Sequence, residues 1–219
     1  MIITIDGTSS SGKSTAGKML ANKLNFCFLS SGEIYRAIAY LIIKDKLNAN
    51  DVKNCLSVMN KAKISAKVKN NIAQIYIDEV NATPLLHNPE VSVMSAKISP
   101  IHEFREFARS LQHKIAEICK DIVVEGRDTG SVVFPNADYK FFVSASLKER
   151  TNRRYLEYKS SGKKITKAEV LAALKERDMA DQTRHESPLI VPKGAVKINS
   201  SNIDANCVTK IMLDHVKKA

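Results

Sequence analysis

The chain has 219 residues, 44% of them hydrophobic and 26% charged, which suits one folded domain with a full core and excludes a disordered or fibrous protein. Its longest apolar run, residues 37–43, stops at Lys44, far short of the roughly 18 residues of a membrane span, and the four cysteines (Cys27, Cys55, Cys119, Cys207) are too scattered for a zinc or disulfide framework. Thirty-four basic against twenty-three acidic residues give a net charge of +11, but the lysines are dispersed and tryptophan is absent, so the surplus fits anionic small substrates better than a nucleic-acid groove.

The chain opens on a short apolar run, Met1–Asp6, with no basic leader or small-residue cleavage site, so no export signal is expected and the cytoplasm is the natural compartment. Residues 7–14 then read Gly7-Thr8-Ser9-Ser10-Ser11-Gly12-Lys13-Ser14, followed by Thr15 and a helical pattern to Leu24. This is a phosphate loop in its required strand–loop–helix context. Gly7 and Gly12 let backbone amides approach a polyphosphate, and the helix start points its positive end at the same anion. Lys13 is expected at the β- and γ-phosphates of a nucleoside triphosphate and the Ser14 hydroxyl on Mg²⁺.

Residues 26–29 read as a second strand, and residues 33–46 as a helix with Ile34, Ala37, Ile38, Leu41 and Ile42 on one side. A further helix is expected over 51–61. Alternation at Ile64, Ala66 and Val68, a turn at 69–71, and alternation at Ile75 and Ile77 predict an antiparallel hairpin region over about 64–80, read as an inserted lobe. Pro89 and Pro100 delimit helices over 90–98 and 102–119. Residues 122–126 and 139–143 are strands, 147–159 a charged helix broken at Gly162, and Thr166 caps a helix over 167–184. A closing strand at 196–199 precedes a helix over 204–217. The order predicts a doubly wound α/β fold with a parallel sheet and helices on both faces.

Three constellations add chemistry. Glu125 ends a continuous apolar strand, the position of an acid beside a phosphate loop and the Mg²⁺ shell, and Gly126-Arg127-Asp128 follows where such sheets deliver ligand-binding groups. Arg127 offers a planar fork for a phosphate and Asp128 an acceptor. Arg177, Asp181 and Arg184 share one helical face, suiting a substrate with both a phosphate and a base edge. Arg150, Arg153 and Arg154 form an arginine-rich helix able to close over a triphosphate. A GTP-hydrolysing switch would need an Asn-Lys-x-Asp element, and that string does not occur.

With these pieces in place the chain resembles the bacterial cytidylate kinases, P-loop enzymes that phosphorylate CMP and dCMP. The resemblance rests on Ile5-Asp-Gly, the phosphate loop, Ser31-Gly-Glu-Ile-Tyr-Arg36, residues 126–135, Lys175-Glu-Arg-Asp178 and Ser187-Pro-Leu189, in family order along the chain. It implies a single P-loop kinase domain over 1–219, with a monophosphate-binding lobe at about 33–105, a lid at about 147–165, ATP and CMP or dCMP as substrates and Mg²⁺ as cofactor. Neither nucleic acid nor membrane is an expected partner, and a monomer is expected. It assigns Ser31, Arg36, Arg105, Arg127, Asp128, Arg177, Asp181 and Arg184 to CMP, and Lys13, Arg127, Arg177, Arg150 and Arg154 to phosphoryl transfer. The chain departs from the family pattern at Thr8-Ser9-Ser10, where a second loop glycine is usual, at Ser30 in place of Asp, and at Ala96 in place of Ser.

Overall fold

A computed structural model describes residues 1–217. Strand β1 (Ile2–Gly7) leads through the loop to helix α1 (Lys13–Leu24), and β2 (Cys27–Ser30) runs directly into α2 (Ser31–Lys44), two residues before the expected helix start. Helix α3 (Val52–Lys61), capped by the Asp51 side chain, precedes β3 (Ile64–Lys69), β4 (Ile72–Ile77) and a two-residue strand β5 (Val80–Asn81). Then come α4 (Pro89–Ile98), α5 (His102–Cys119), β6 (Ile122–Gly126), β7 (Tyr139–Ser144), α6 (Leu147–Ser160), α7 (Lys167–Thr183), β8 (Val196–Asn199) and α8 (Ala205–Lys217). The sequence pattern finds every one of these except β5. It also misses a π-helical turn at Thr129–Val133, which has no periodic signature of its own.

The sheet order is β3-β4-β2-β6-β1-β7-β8, with β5 against β4, and β2, β6, β1, β7 and β8 are all mutually parallel. Both faces are covered, which explains the continuous apolar strands. On one face Leu29, Ile122 and Val124 pack with the stripe Ile34, Ile38, Leu41 and Ile42 of α2 and with Phe104, Leu111 and Ile115 of α5. On the other, Ile3, Ile5, Phe28, Val123 and Val143 pack against Leu20 of α1 and Met212 of α8. Each fully buried aliphatic side chain here stabilises the fold by roughly 1.5–3 kcal/mol.

The hairpin forms where it is expected, turning through Asn70 and Asn71, both at positive φ (51° and 60°), as a two-residue hairpin turn requires. This inserted hairpin is joined to the main sheet. The Phe28 amide donates to Asn71 (2.7 Å), Phe28 pairs with Ile72, and Ala73, Ile75 and Ile77 turn into the core, so β4 extends the main sheet.

The register gathers the carboxyl ends of the central strands at one edge: Asp6 stands opposite Gly126, Gly7 opposite Val143, and Ser30 opposite Glu125. Gly7 is the tightest point. It has φ 151°, and a Cβ there would lie 1.9 Å from the Val143 carbonyl oxygen. Because that obstacle is backbone, Gly7→Ala is expected to abolish cooperative folding, at a cost beyond the roughly 1–3 kcal/mol of ordinary overpacking. A soluble variant with a melting temperature within a few degrees of the parent would contradict this.

Candidate active site

The phosphate loop is held from below by backbone and hydroxyl contacts. Ser200 Oγ, just past β8, donates to the Ser11 carbonyl (2.8 Å), and Thr209 Oγ1 of α8 donates to the Ala16 carbonyl (3.3 Å). Ser10 stands at φ 58°. This is where the family pattern has glycine, and a non-glycine residue in that conformation costs about 1–2 kcal/mol. The Thr8 and Ser11 hydroxyls are buried without a hydrogen-bond partner. Ser14 is half-buried, while Thr15 faces outward on the first turn of α1.

Lys13 is almost fully enclosed, its Nζ donating to the Thr8 carbonyl (3.2 Å) and lying 3.8 Å from Glu125 Oε2. Burial, and next the Arg127 charge, lower its pKa from 10.5 to about 8. An ammonium held this far below its usual value gains most from an incoming anion. The other Glu125 oxygen accepts from Ser30 Oγ (2.6 Å), so the serine standing in place of the family's aspartate orients the strand-end acid. Glu125 Oε2 is buried with no hydrogen-bond donor. An unsatisfied carboxylate oxygen beside a hydroxyl-bearing phosphate loop fits a hard divalent cation. No cluster of three or more metal-binding side chains occurs among the described residues, so such a cation would draw most of its shell from phosphate and water, as Mg²⁺ does.

Across the sheet edge, four arginines converge on two buried aspartates. Asp128 pairs with Arg105 and lies 3.6 Å from Arg184 Nη2. Asp181 Oδ2 accepts from Arg127 Nε (2.8 Å) and Arg177 Nε (3.3 Å), and Asp181 Oδ1 is 3.8 Å from Arg184 Nη1. Arg184 is the residue after α7, and its Nε anchors on the Ser187 carbonyl (2.7 Å). Burial alone would raise the Asp181 carboxyl, but Arg127, Arg177 and Arg184 outweigh it and hold it below the usual range. Arg184 is pushed below the usual arginine value by burial and then by Arg105. Arg105 Nε and Arg184 Nη2 are buried without hydrogen-bond partners, and Arg105 lies over the Tyr35 ring at 5.7 Å. Ser31, buried at the start of α2, sits so close to Gly126 that a Cβ there would come within 2.5 Å of its hydroxyl.

The remaining expected residues are dispersed. Arg36 donates to the Leu86 carbonyl (3.1 Å) and to Ser92 Oγ (2.7 Å), outside the four-arginine cluster, while Ala96 on the same α4 helix is exposed. Arg150 is buried against the loop, reaching Ser9 O (3.3 Å) and Asp178 (2.6 Å). Arg154 turns to the surface and pairs with Glu157 (2.9 Å). Arg153, expected as a lid cation, instead braces the loop through Ser11 O and Ser200. Sequence reasoning gave no role to Asp6, Ser200, Tyr35 or Asp178. Asp6, Tyr35 and Asp178 each lie inside a motif that carries the resemblance, so a signal was there to use, whereas Ser200 has none.

Comparison with known proteins gives the family. The family model described as cytidylate kinase matches residues 3–218. The chain is 36% identical over 216 residues to a cytidylate kinase of Caldanaerobacter subterraneus subsp. tengcongensis, covering 99% of this chain and 94% of that one. It is 34% identical over 218 residues to a cytidylate kinase of Fusobacterium nucleatum, with 100% and 98% covered. Among solved structures, an uncharacterized protein from Eubacterium ventriosum shares the fold, with a TM-score of 0.52, 13% identity and coverage of 100% and 99%.

The aspartate–arginine pairs carry a pH signature. Because the folded Asp181 carboxyl titrates below its ordinary 3.8, its stabilising contribution is complete above that pH and is lost as pH falls through the lower folded value. Asp181→Asn is expected to lose roughly 3 kcal/mol at pH 7, as when one partner of a buried pair is removed, and to show a shallower decline of melting temperature below pH 4. An unchanged acid limb in thermal melts would show that the pairs contribute nothing.

Proposed function

The chain belongs to the cytidylate kinase family and is a phosphotransferase acting on CMP; we propose that its two anionic substrates meet between the Lys13 loop and the arginine–aspartate cluster. The observation that carries this reading is the charge of the cluster. Four guanidinium groups face two carboxylates, leaving a surplus of two positive charges beside Lys13, which suits a dianionic phosphate.

In this reading the amides of residues 7–15 cradle the ATP triphosphate and Lys13 follows the transferred phosphoryl group. Arg127 and Arg177 take the CMP phosphate. Asp128, Asp181, Arg105 and Arg184, with Ser31, read the sugar and the cytosine edge, and Arg36 closes the phosphate from the α2 side. The acceptor oxygen is already anionic, so no strong general base is required, and the residues act by alignment and charge neutralisation. Ser14 and Glu125 would hold Mg²⁺, which when bound neutralises charge on the β- and γ-phosphate oxygens.

Arg150 stands at the loop already, whereas Arg154 must leave Glu157 to take part. Closure of the lid over residues 147–165, together with the lobe at 33–105, accomplishes that and keeps water from the transferred group. dCMP is the second proposed acceptor, and the enzyme is proposed to work as a cytoplasmic monomer.

Lys13→Ala is expected to lower kcat by about 10³-fold or more, the scale of other cations that stabilise a transferred phosphoryl group. The check is steady-state turnover with CMP in a coupled ADP-release assay, alongside a thermal melt to verify folding. A folded variant with near-native kcat would sink this assignment.

A further inference from the structure

Helix α7 does more than present one face to the acceptor cluster. One turn before Asp181 it carries Asp178, whose Oδ2 lies 2.6 Å from Arg150 Nη1, with both side chains largely enclosed (15% and 7% exposed). The same guanidinium donates from Nε to the Ala145 carbonyl (3.0 Å), at the exit of β7, and from Nη1 to the Ser9 carbonyl (3.3 Å), inside the phosphate loop. One arginine therefore joins three elements: the strand end, the donor loop and α7.

Through Asp181 and Arg177, the same helix grips Arg127 and the acceptor cluster. The pair between Asp178 and Arg150 is one-armed: Asp178 Oδ1 is buried and has no hydrogen-bond partner. A buried unsatisfied carboxylate oxygen is costly and favours any shift that supplies a donor. A small rotation of Arg150 would supply it by making the pair bidentate, at the expense of the contact with Ser9.

We propose that Asp178 is a positioning residue that couples the two substrate sites, setting Arg150 against the donor loop according to where the acceptor holds α7. The proposal rests on the assignment of ATP to the loop and CMP to the cluster. Asp178 itself touches neither substrate. It acts through Arg150, so its removal alters how strongly one substrate enhances binding of the other more than it alters either affinity alone.

The test is calorimetric titration of CMP with and without a saturating non-hydrolysable ATP analogue, for the parent, Asp178→Asn and Asp178→Glu, with thermal melts of each. Coupling between sites commonly spans 5–150-fold. The parent is expected to bind CMP at least fivefold more tightly with the analogue present. Asp178→Asn is expected to bring that factor to within twofold of one, with CMP affinity alone within about threefold of the parent, and Asp178→Glu to recover most of it.

A purely structural role would lower the melting temperature and weaken both ligands while leaving the factor intact, and that result overturns the proposal. So does a parent that binds both ligands without coupling. A parent that binds no CMP refutes the underlying functional reading instead. Should Asp178→Asn fail to fold, Asp178→Ala reads the same factor, and parent-like coupling in that variant overturns the proposal.

Discussion

The site hangs on one buried carboxylate. Asp6, at the end of β1, accepts from the Thr129 amide (2.8 Å) and hydroxyl (2.7 Å) on one oxygen and from the Gly130 amide (2.7 Å) on the other. These bonds fix the segment after β6 to the residue from which the phosphate loop departs. Arg127 and Asp128 lie on one side of the tie and Gly7 on the other, so the phosphate loop and the arginine–aspartate cluster share one frame. The strength of the tie is bounded by desolvation: burial raises the Asp6 pKa to about 6, and the Gly130 and Thr129 hydrogen bonds work against that rise. Asp6 thus opposes Asp181 in pH dependence. The cost of keeping it ionised disappears as pH falls below 6, where the Asp181 pairs remain intact.

Around this frame the protein stores uncompensated charge. Lys13 is driven down to about 8 by burial first, and Arg36 and Arg184 are likewise held below the usual arginine value chiefly by burial. Unpartnered buried atoms gather in the same region: Thr8 Oγ1, Ser11 Oγ, Glu125 Oε2, Arg105 Nε and Arg184 Nη2. A fold selected for stability alone would satisfy such groups, because each costs about 1–3 kcal/mol. Their concentration at the carboxyl edge of a parallel sheet is the physical mark of a site completed by its ligands.

The parts legible in the sequence were those with a period or a fixed spacing. The apolar strands, the α2 stripe, the Asn70–Asn71 turn and the Arg177–Asp181–Arg184 face all follow from local geometry, and each is found in the fold. What escaped depends on contacts between residues far apart in the chain. Arg153 and Arg154 are adjacent on one helix and so point different ways, but which partner each meets is a tertiary matter: Arg153 braces the loop through Ser200, just past β8, and half-buried Arg154 pairs with Glu157. The hairpin was legible because its alternation is local, whereas its attachment to β2 is a tertiary pairing that no local pattern carries. Ser30 reads as a loss of acidity along the sequence, but in the fold it is the hydroxyl that orients Glu125.

The proposed two-site arrangement makes the identity of the acceptor its most exposed consequence, because it sets a base edge against Asp128 and Asp181 among their arginines. The direct measurement is kcat/KM across CMP, dCMP, UMP, AMP and GMP with ATP as donor, followed by ADP release. CMP is expected to lead and dCMP to follow, with the purine monophosphates well below both, because a site built to hydrogen-bond one base leaves its buried polar groups unpaired against another. An enzyme that phosphorylates UMP or AMP faster than CMP would contradict this reading of the cluster.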